Sequence, residues 1–275
     1  MIVGIIGTGN MGSILADALL QSNSVQASCL KVYNRTQTKA LNLQQQHPQI
    51  EISTSIRQIT QDCQLIFVCV KPGDMYPLFV EMEKVISKDK CVVSITSPIS
   101  TKQMDTVLSC STARFIPSIT NKVLSGVSLI TFGASCKEEW RQIIRTLAKN
   151  ISEGIEIENN ITRVSSDIVS CGPAFFSYLA QCFIDGATAT TGIDKQTATI
   201  LTEKMLIGFG DLLKSGQYSL PTLQEKVCVK GGITGEGIKI LESEVGDMFQ
   251  QLFQTTHHKF AEEISKIEKQ FHEQY

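Results

Sequence analysis

Nine residues near the start of the chain, GIIGTGNMG at positions 4–12, constrain the fold more than any other stretch. The apolar run IVGII before the glycines reads as a buried strand, and Met11–Gln21 after them reads as a helix. Gly7, Gly9 and Gly12 make the pattern GxGxxG between the two. The first glycine permits a tight turn, the second lets backbone approach a pyrophosphate, and the third allows close helix–sheet packing. The helix start then turns free N–H groups and a positive dipole end toward the phosphates. Strand, loop and helix in this order predict a dinucleotide site built from Gly7, Thr8, Gly9, Asn10, Met11 and Gly12. The alternative is a structural tight turn.

The next stretch repeats that alternation. The runs LKVYN, LIFVCV, CVVSI and ARFIP, with GVSLITFG at 126–133, are strand candidates. Thr36–Gln46, Met75–Ile86, Thr101–Leu108 and Glu138–Lys149 are helix candidates. Short apolar runs separated by helices predict βαβ units and a parallel sheet covered on both faces. After about residue 158 strand signals cease. Residues 173–215 read as long apolar helices broken near Gly192-Ile193-Asp194, and further helix is expected at Glu236–Leu241 and from Gly246 to the end. The predicted fold is therefore α/β, with an N-terminal Rossmann domain at 1–157 and an all-helical domain at 158–275. The helices AFFSYLAQCFIDGATATTG and ATILTEKMLIGFGDLL are apolar on more than one face. They read either as core helices packed on the first domain or, as favoured here, as helices shared across a dimer interface. The closing stretch KFAEEISKIEKQFHEQY is amphipathic, and a solvated face is expected for it.

Composition removes several classes. With 25 basic and 27 acidic side chains the formal charge is −2, which offers no general surface for nucleic acid or an anionic membrane. The nine cysteines are odd in number and include no CxxC, so free thiols in a reducing cytosol are expected. None of the four histidines falls at ligand spacing to a cysteine pair, and no metal site is expected. No basic n-region precedes the first apolar run, and the apolar stretches read as too short to span a bilayer. A cytoplasmic location is the expectation.

The end of the second strand bears on the cofactor. NAD sites place Asp or Glu there for the ribose 2′-OH, whereas this chain has Tyr33-Asn34-Arg35-Thr36. Asn34, Arg35 and Thr36 suit a 2′-phosphate, which favours NADPH, with NADH the alternative if Arg35 only caps a surface turn. Val70-Lys71-Pro72 closes the LIFVCV strand at the carboxyl edge, where ligands bind in such sheets. A hydroxyacid dehydrogenase needs a base for the alcohol proton. Between Ile161 and Asp194 there is no Lys or His, only Arg163, Asp167 and Asp185. That fits reduction of a C=N bond, where an iminium is already protonated and needs hydride and positioning.

The combination of IGTGNMG, VKP at 70–72, RFIP at 114–117, SCGPAFF at 170–176 and VKGGITGEG at 229–237 resembles the pyrroline-5-carboxylate reductase family over nearly the whole chain. SCGPAFF is similar to that family's SGSGPAY, and KGGITGEG to its SPGGTT stretch. The resemblance implies a helical dimerisation domain, a homodimer or higher homo-oligomer formed through it, and hydride transfer from NAD(P)H to a cyclic imine carboxylate. It implies that Gly7, Gly9, Gly12, Asn34, Arg35 and Lys71 hold the cofactor. It also implies that Gly231, Gly232 and Thr234 hold the substrate, with Thr234 near the imine nitrogen as the catalytic candidate. Consecutive glycine N–H groups form an anion nest suited to a carboxylate; Thr234 also reads as an N-cap for a helix beginning near Gly235.

The departures cluster at substrate-facing positions. Val229-Lys230 replaces Ser-Pro, so a hydroxyl is lost and a cation gained, and Ser118 replaces an asparagine. This pattern is similar to the ComER-type branch, associated with late competence genes. Three functions follow as expectations: reduction of pyrroline-5-carboxylate to proline, a regulatory role in competence or sporulation with an altered pocket, or reduction of another small anionic imine.

Overall fold

The computed structural model describes residues 1–272; the last three residues of the predicted C-terminal helix lie outside that range. Among the described residues eight strands form one sheet: β1 Val3–Ile6, β2 Leu30–Tyr33, β3 Glu51–Ile52, β4 Leu65–Val68, β5 Cys91–Ser94, β6 Ser111–Ile116, β7 Val127–Phe132 and β8 Glu153–Glu156. Their order is β3-β2-β1-β4-β5-β6-β7-β8, so the chain reverses its winding at β1 and β4, the switch point at which such sheets bind ligands. The N-terminal helices are α1 Asn10–Gln21, α2 Gln37–Gln46, α3 Ile56–Asp62, α4 Met75–Glu83, α5 Thr101–Val107 and α6 Glu138–Ile151.

β1 to β6 are mutually parallel, as the alternating pattern predicts. β7 runs antiparallel to β6, and β8 lies parallel to β7. The reversal follows from chain length. Residues 117–126 link β6 to β7 through a short 3-10 turn, whereas a parallel return needs a crossover of about a dozen residues or more.

The sheet separates two cores because neighbouring strand residues point to opposite faces. Ile5, Phe67, Val93 and Phe115 pack under α1, α2 and α6, and Phe67 meets Phe115 edge-on at 6.0 Å. Ile6, Ile66, Val68 and Val92 pack with Met75, Phe79 and Met104 of α4 and α5. Each fully buried side chain of this kind stabilises the fold by about 1.5–3 kcal/mol. All nine cysteines are free; Cys63, Cys91, Cys110 and Cys136 are buried in these layers.

The later helices are α7 Thr162–Ser166, α8 Gly172–Thr190, α9 Lys195–Lys214, α10 Leu220–Val227, α11 Ile233–Val245 and α12 Met248–His272. Two compact units emerge. Met1–Pro173 with the stretch from Thr256 onward forms one, and Ala174–Thr255 the other. The end of α12 belongs to the sheet unit. Ile267 and Phe271 are buried in its second core, and Phe271 packs edge-on against Tyr76 at 4.8 Å. The amphipathic tail expected to be a solvated face therefore buries its apolar side.

The expectation that no apolar stretch is long enough to cross a bilayer is corrected. The helical run Asn159–Thr190 is, by length and composition. Pro173 does not end it because Asp167–Cys171 form a π-turn between α7 and α8. Pro173 lacks an N–H, so the Val169 carbonyl four residues earlier loses its α-helical donor. Ser118 Oγ donates to that carbonyl at 2.7 Å, and Ser170 Oγ donates to the Pro117 carbonyl at 3.0 Å. Ser118, whose identity departs from the family pattern, spends its proton on this stitch. In the second unit the helices leave many apolar side chains exposed, among them Phe176, Phe183, Leu201, Met205 and Ile207.

Candidate functional site

The glycine loop sits between β1 and α1 as the sequence predicts, and each glycine meets a distinct demand. Gly7 has φ +99°, and a Cβ there would lie 2.6 Å from the Cys69 carbonyl oxygen. A Cβ on Gly12 would collide with the Gly7 carbonyl. Gly9 differs, for nothing lies within 4 Å of the Cβ position. That open space beside backbone is what a pyrophosphate requires. Gly9 is the N-cap of α1 and supplies no side-chain acceptor, so the first turn of the helix is left for an external anion. Thr8 Oγ1 is buried with no hydrogen-bond partner among the described residues. On these observations the residues fit a dinucleotide phosphate bridge.

Asn34 closes the loop from the side. The Thr8 N–H donates to Asn34 Oδ1 at 3.0 Å, and Asn34 Nδ2 donates to the Thr36 carbonyl at 2.8 Å. Its amide braces the loop, while Arg35 and Thr36 stand exposed at the end of β2. No carboxylate stands among Tyr33-Asn34-Arg35-Thr36 to meet a ribose 2′-OH. A cleft of about 420 Å³ opens from Thr8, Gly9 and Asn10 along α1 and α2, and Lys39 lines it. Lys39, in the first turn of α2, is a candidate that the sequence reading missed. The available signal is its position four residues after Arg35. Met11 is half-buried against the first core.

At the end of β4, Val70 packs beside Gly7, where a Cβ on that glycine would lie 3.2 Å from Val70 Cγ1. Lys71 is exposed, and Pro72 starts a short 3-10 turn. Desolvation of its sulfur raises the pKa of the half-buried Cys69 thiol, which disfavours the thiolate. The structure thus brings the glycine loop, Asn34 and Val70 together at the carboxyl edge of β1, β2 and β4.

The second glycine stretch belongs to the other compact unit. The Gly232 N–H donates to the Val229 carbonyl at 2.9 Å, and Gly231 has φ +73°. The four residues form a turn of type II geometry with Lys230 and Gly231 at its centre. A Cβ on Gly232 would lie 2.8 Å from Val229 Cγ2, so this glycine is required for closure. Gly232 is the N-cap of α11 and offers no side-chain acceptor, which leaves the first turn of a 13-residue helix open to an anion. The helix starts at Ile233, two residues before the expected start. Thr234 is thereby in its first turn, and the N-cap role is excluded. Val229, Lys230 and Thr234 are exposed, and Ile233 is 93% exposed.

Comparison with known proteins bears on the family. Residues 158–263 match the pyrroline-5-carboxylate reductase dimerisation family, and residues 2–98 match the coenzyme F420-dependent NADP oxidoreductase family. ComE operon protein 4 of Bacillus subtilis is 50% identical over 272 residues, covering 99% of this chain and all of that protein. Pyrroline-5-carboxylate reductase 3 of the same organism is 25% identical over 269 residues, 98% of each chain. The chain belongs to the pyrroline-5-carboxylate reductase family. Within it, ComE operon protein 4 shows twice the identity of the reductase. The fold extends to the pyrroline carboxylate reductase of Plasmodium falciparum, solved with NADP bound. That structure has a TM-score of 0.81 at 17% identity, covering 97% of this chain and 98% of that one. Family membership places the chain among the NAD(P)-linked oxidoreductases and identifies the helices from residue 158 with the family's dimerisation segment.

Proposed function

We propose that this protein reduces 1-pyrroline-5-carboxylate to L-proline with NADPH. The observation that carries the reading is the start of α11, where a glycine turn leads into a helix with no side-chain cap. Such a terminus suits a small carboxylate, because free N–H groups and the dipole end converge on one point. NADPH, when bound, supplies hydride to the imine carbon. The first turn of α11, presented by the turn through Gly231 and Gly232, would hold the substrate carboxylate, with Thr234 Oγ1 oriented toward the imine nitrogen. The absence of Lys and His from 162–193 is then no defect, because a protonated imine needs no base from the protein.

Arg35, Thr36 and Lys39 support NADPH over NADH, since two cations and a hydroxyl suit a 2′-phosphate and would gain nothing from a 2′-OH. Arg35→Ala combined with Lys39→Ala should raise the Kd for NADPH about tenfold to a hundredfold and leave that for NADH nearly unchanged. Fluorescence titration with both cofactors checks this; equal losses would remove these residues from the 2′-phosphate site. The exposed apolar side chains of the second unit support a homo-oligomer built on the dimerisation segment.

The direct test mixes folded protein, pyrroline-5-carboxylate and NADPH and follows loss of reduced-cofactor absorbance. Turnover that falls at least about a hundredfold in Thr234→Ala is expected; no turnover above background would sink the reading. One observation favours a second function, namely the 50% identity to ComE operon protein 4 against 25% to the reductase. Under it the chain binds NADPH with an altered substrate pocket and acts in regulation. Growth of a proline auxotroph carrying the unmodified protein would refute that second reading.

A further inference from the structure

Arg114, in β6, is 2% exposed, and among the described residues none of its partners is a carboxylate. Burial pulls its pKa down to about 10. A buried cation without a counter-charge destabilises a fold unless its donors are fully used. Here the two terminal nitrogens are spread widely, while Nε is buried with no hydrogen-bond partner among the described residues. Nη1 donates to the Ser97 carbonyl at 3.2 Å and to the Ile99 carbonyl at 3.4 Å. Nη2 donates to Thr131 Oγ1 at 3.1 Å, Asn159 Oδ1 at 2.8 Å and Thr162 Oγ1 at 2.6 Å. These acceptors come from the loop after β5, from β7, from the turn after β8 and from the first residue of α7.

The placement of these acceptors bears on the cofactor. Ser97 and Ile99 bracket Pro98 in the loop leaving the carboxyl end of β5. In a doubly wound sheet one mononucleotide lies over the β1–β3 half and the other over the half beginning at β4. The glycine loop and Arg35 place the adenosine end on the first half, so the nicotinamide end falls beside β4 and β5. Ser97–Ile99 follow the carboxyl end of β5 on that side, and the Ser97 and Ile99 carbonyls are held by one guanidinium that also bonds Asn159 and Thr162.

We infer that Arg114 is a positioning residue for the nicotinamide half of the cofactor, acting through the backbone of Ser97–Ile99. The inference rests on the reading that this chain binds NADPH for hydride transfer. Lysine cannot substitute, because a single ammonium with three donors cannot span acceptors that two guanidinium nitrogens reach. A residue that only stabilised the fold would weaken every cofactor fragment alike. A positioning residue weakens the ligand that carries a nicotinamide and spares the fragment that lacks it.

The test compares Kd values for NADPH and for 2′,5′-ADP in the wild type, Arg114→Lys and Thr162→Val, each first shown to be folded by its melting curve. NADPH should weaken about tenfold in Arg114→Lys and about threefold in Thr162→Val, with 2′,5′-ADP unchanged in both. Equal weakening of the two ligands, or unchanged NADPH binding, overturns the inference. Thr162→Val and Asn159→Ala keep the arginine and each remove one acceptor; they carry the test if Arg114→Lys does not fold. A wild type that binds NADPH yet does not reduce pyrroline-5-carboxylate sinks the proposed reaction, and these binding ratios still judge Arg114.

Discussion

Gly9→Ala should leave the protein's stability nearly intact and cost it the cofactor, whereas Gly12→Ala should cost it stability. The two glycines share one motif and differ in what surrounds the missing Cβ. At Gly9 the site is open and the backbone, with φ −75° and ψ −166°, suits alanine. The folded protein loses only the small advantage of glycine over alanine at an N-cap, about 0.5–1 kcal/mol. The new methyl group occupies the space into which a pyrophosphate must come, and NADPH should bind at least about thirtyfold more weakly. At Gly12 the methyl meets the Gly7 carbonyl, which is itself fixed because Gly7 holds φ +99° against the Cys69 carbonyl. Either α1 or the loop must shift, at about 3 kcal/mol, a fall of roughly 6–12 °C in melting temperature. Thermal melting and NADPH titration on the two variants check both halves. A Gly9→Ala protein that melts far below the wild type, or a Gly12→Ala protein that melts with it, would mean the loop has been misunderstood.

The sequence disclosed what is local and periodic. The glycine loop, the strand–helix alternation and the break at Gly192-Ile193-Asp194 all follow from neighbours within a few positions. β3 spans two residues and α3 seven, too few to show a period, and both escaped notice. β8 reads EGIE, is exposed along its length and carries no apolar run. The direction of β7 depends on the length of the connection before it, which hydrophobic pattern does not report. The long-range ties were hidden for a related reason. Arg114 meets Asn159 across 45 positions, and Ser118 meets Val169 across 51. Ser118 shows how this matters for function. Its departure from the family pattern reads in sequence as a change at a substrate-facing position. In the structure its hydroxyl supplies the donor that Pro173 takes away from the π-turn. The α11 turn gives the opposite lesson. Four residues sufficed to predict a glycine turn leading into a helix; that the Gly232 N–H is spent on the Val229 carbonyl, and that the helix starts at Ile233 rather than Gly235, needed the structure.

The second large effect is expected at that same π-turn, from Arg163→Met. Asp167 opens the turn, and its side chain is fully buried. Its carboxylate accepts from Arg163 Nη2 at 2.8 Å and from Thr256 Oγ1 of α12 at 2.7 Å. The guanidinium also lies 5.3 Å above the Phe260 ring, so the pair joins the start of the apolar helical run to the C-terminal helix within the sheet unit. Methionine keeps much of the aliphatic contact with Phe260 and removes the charge. Asp167 is then a buried anion that has lost its paired cation, and the loss should be about 3–5 kcal/mol. The double variant Arg163→Met with Asp167→Leu removes both charges and should recover most of that loss, because an apolar pair carries no desolvation penalty. Urea midpoints at one fixed protein concentration separate the outcomes. A single variant that loses less than about 1 kcal/mol would show that the pair does not hold the seam. A double variant no better than the single would show that Asp167 is needed for its bond to Thr256 and the turn geometry, and that the arginine's charge is secondary.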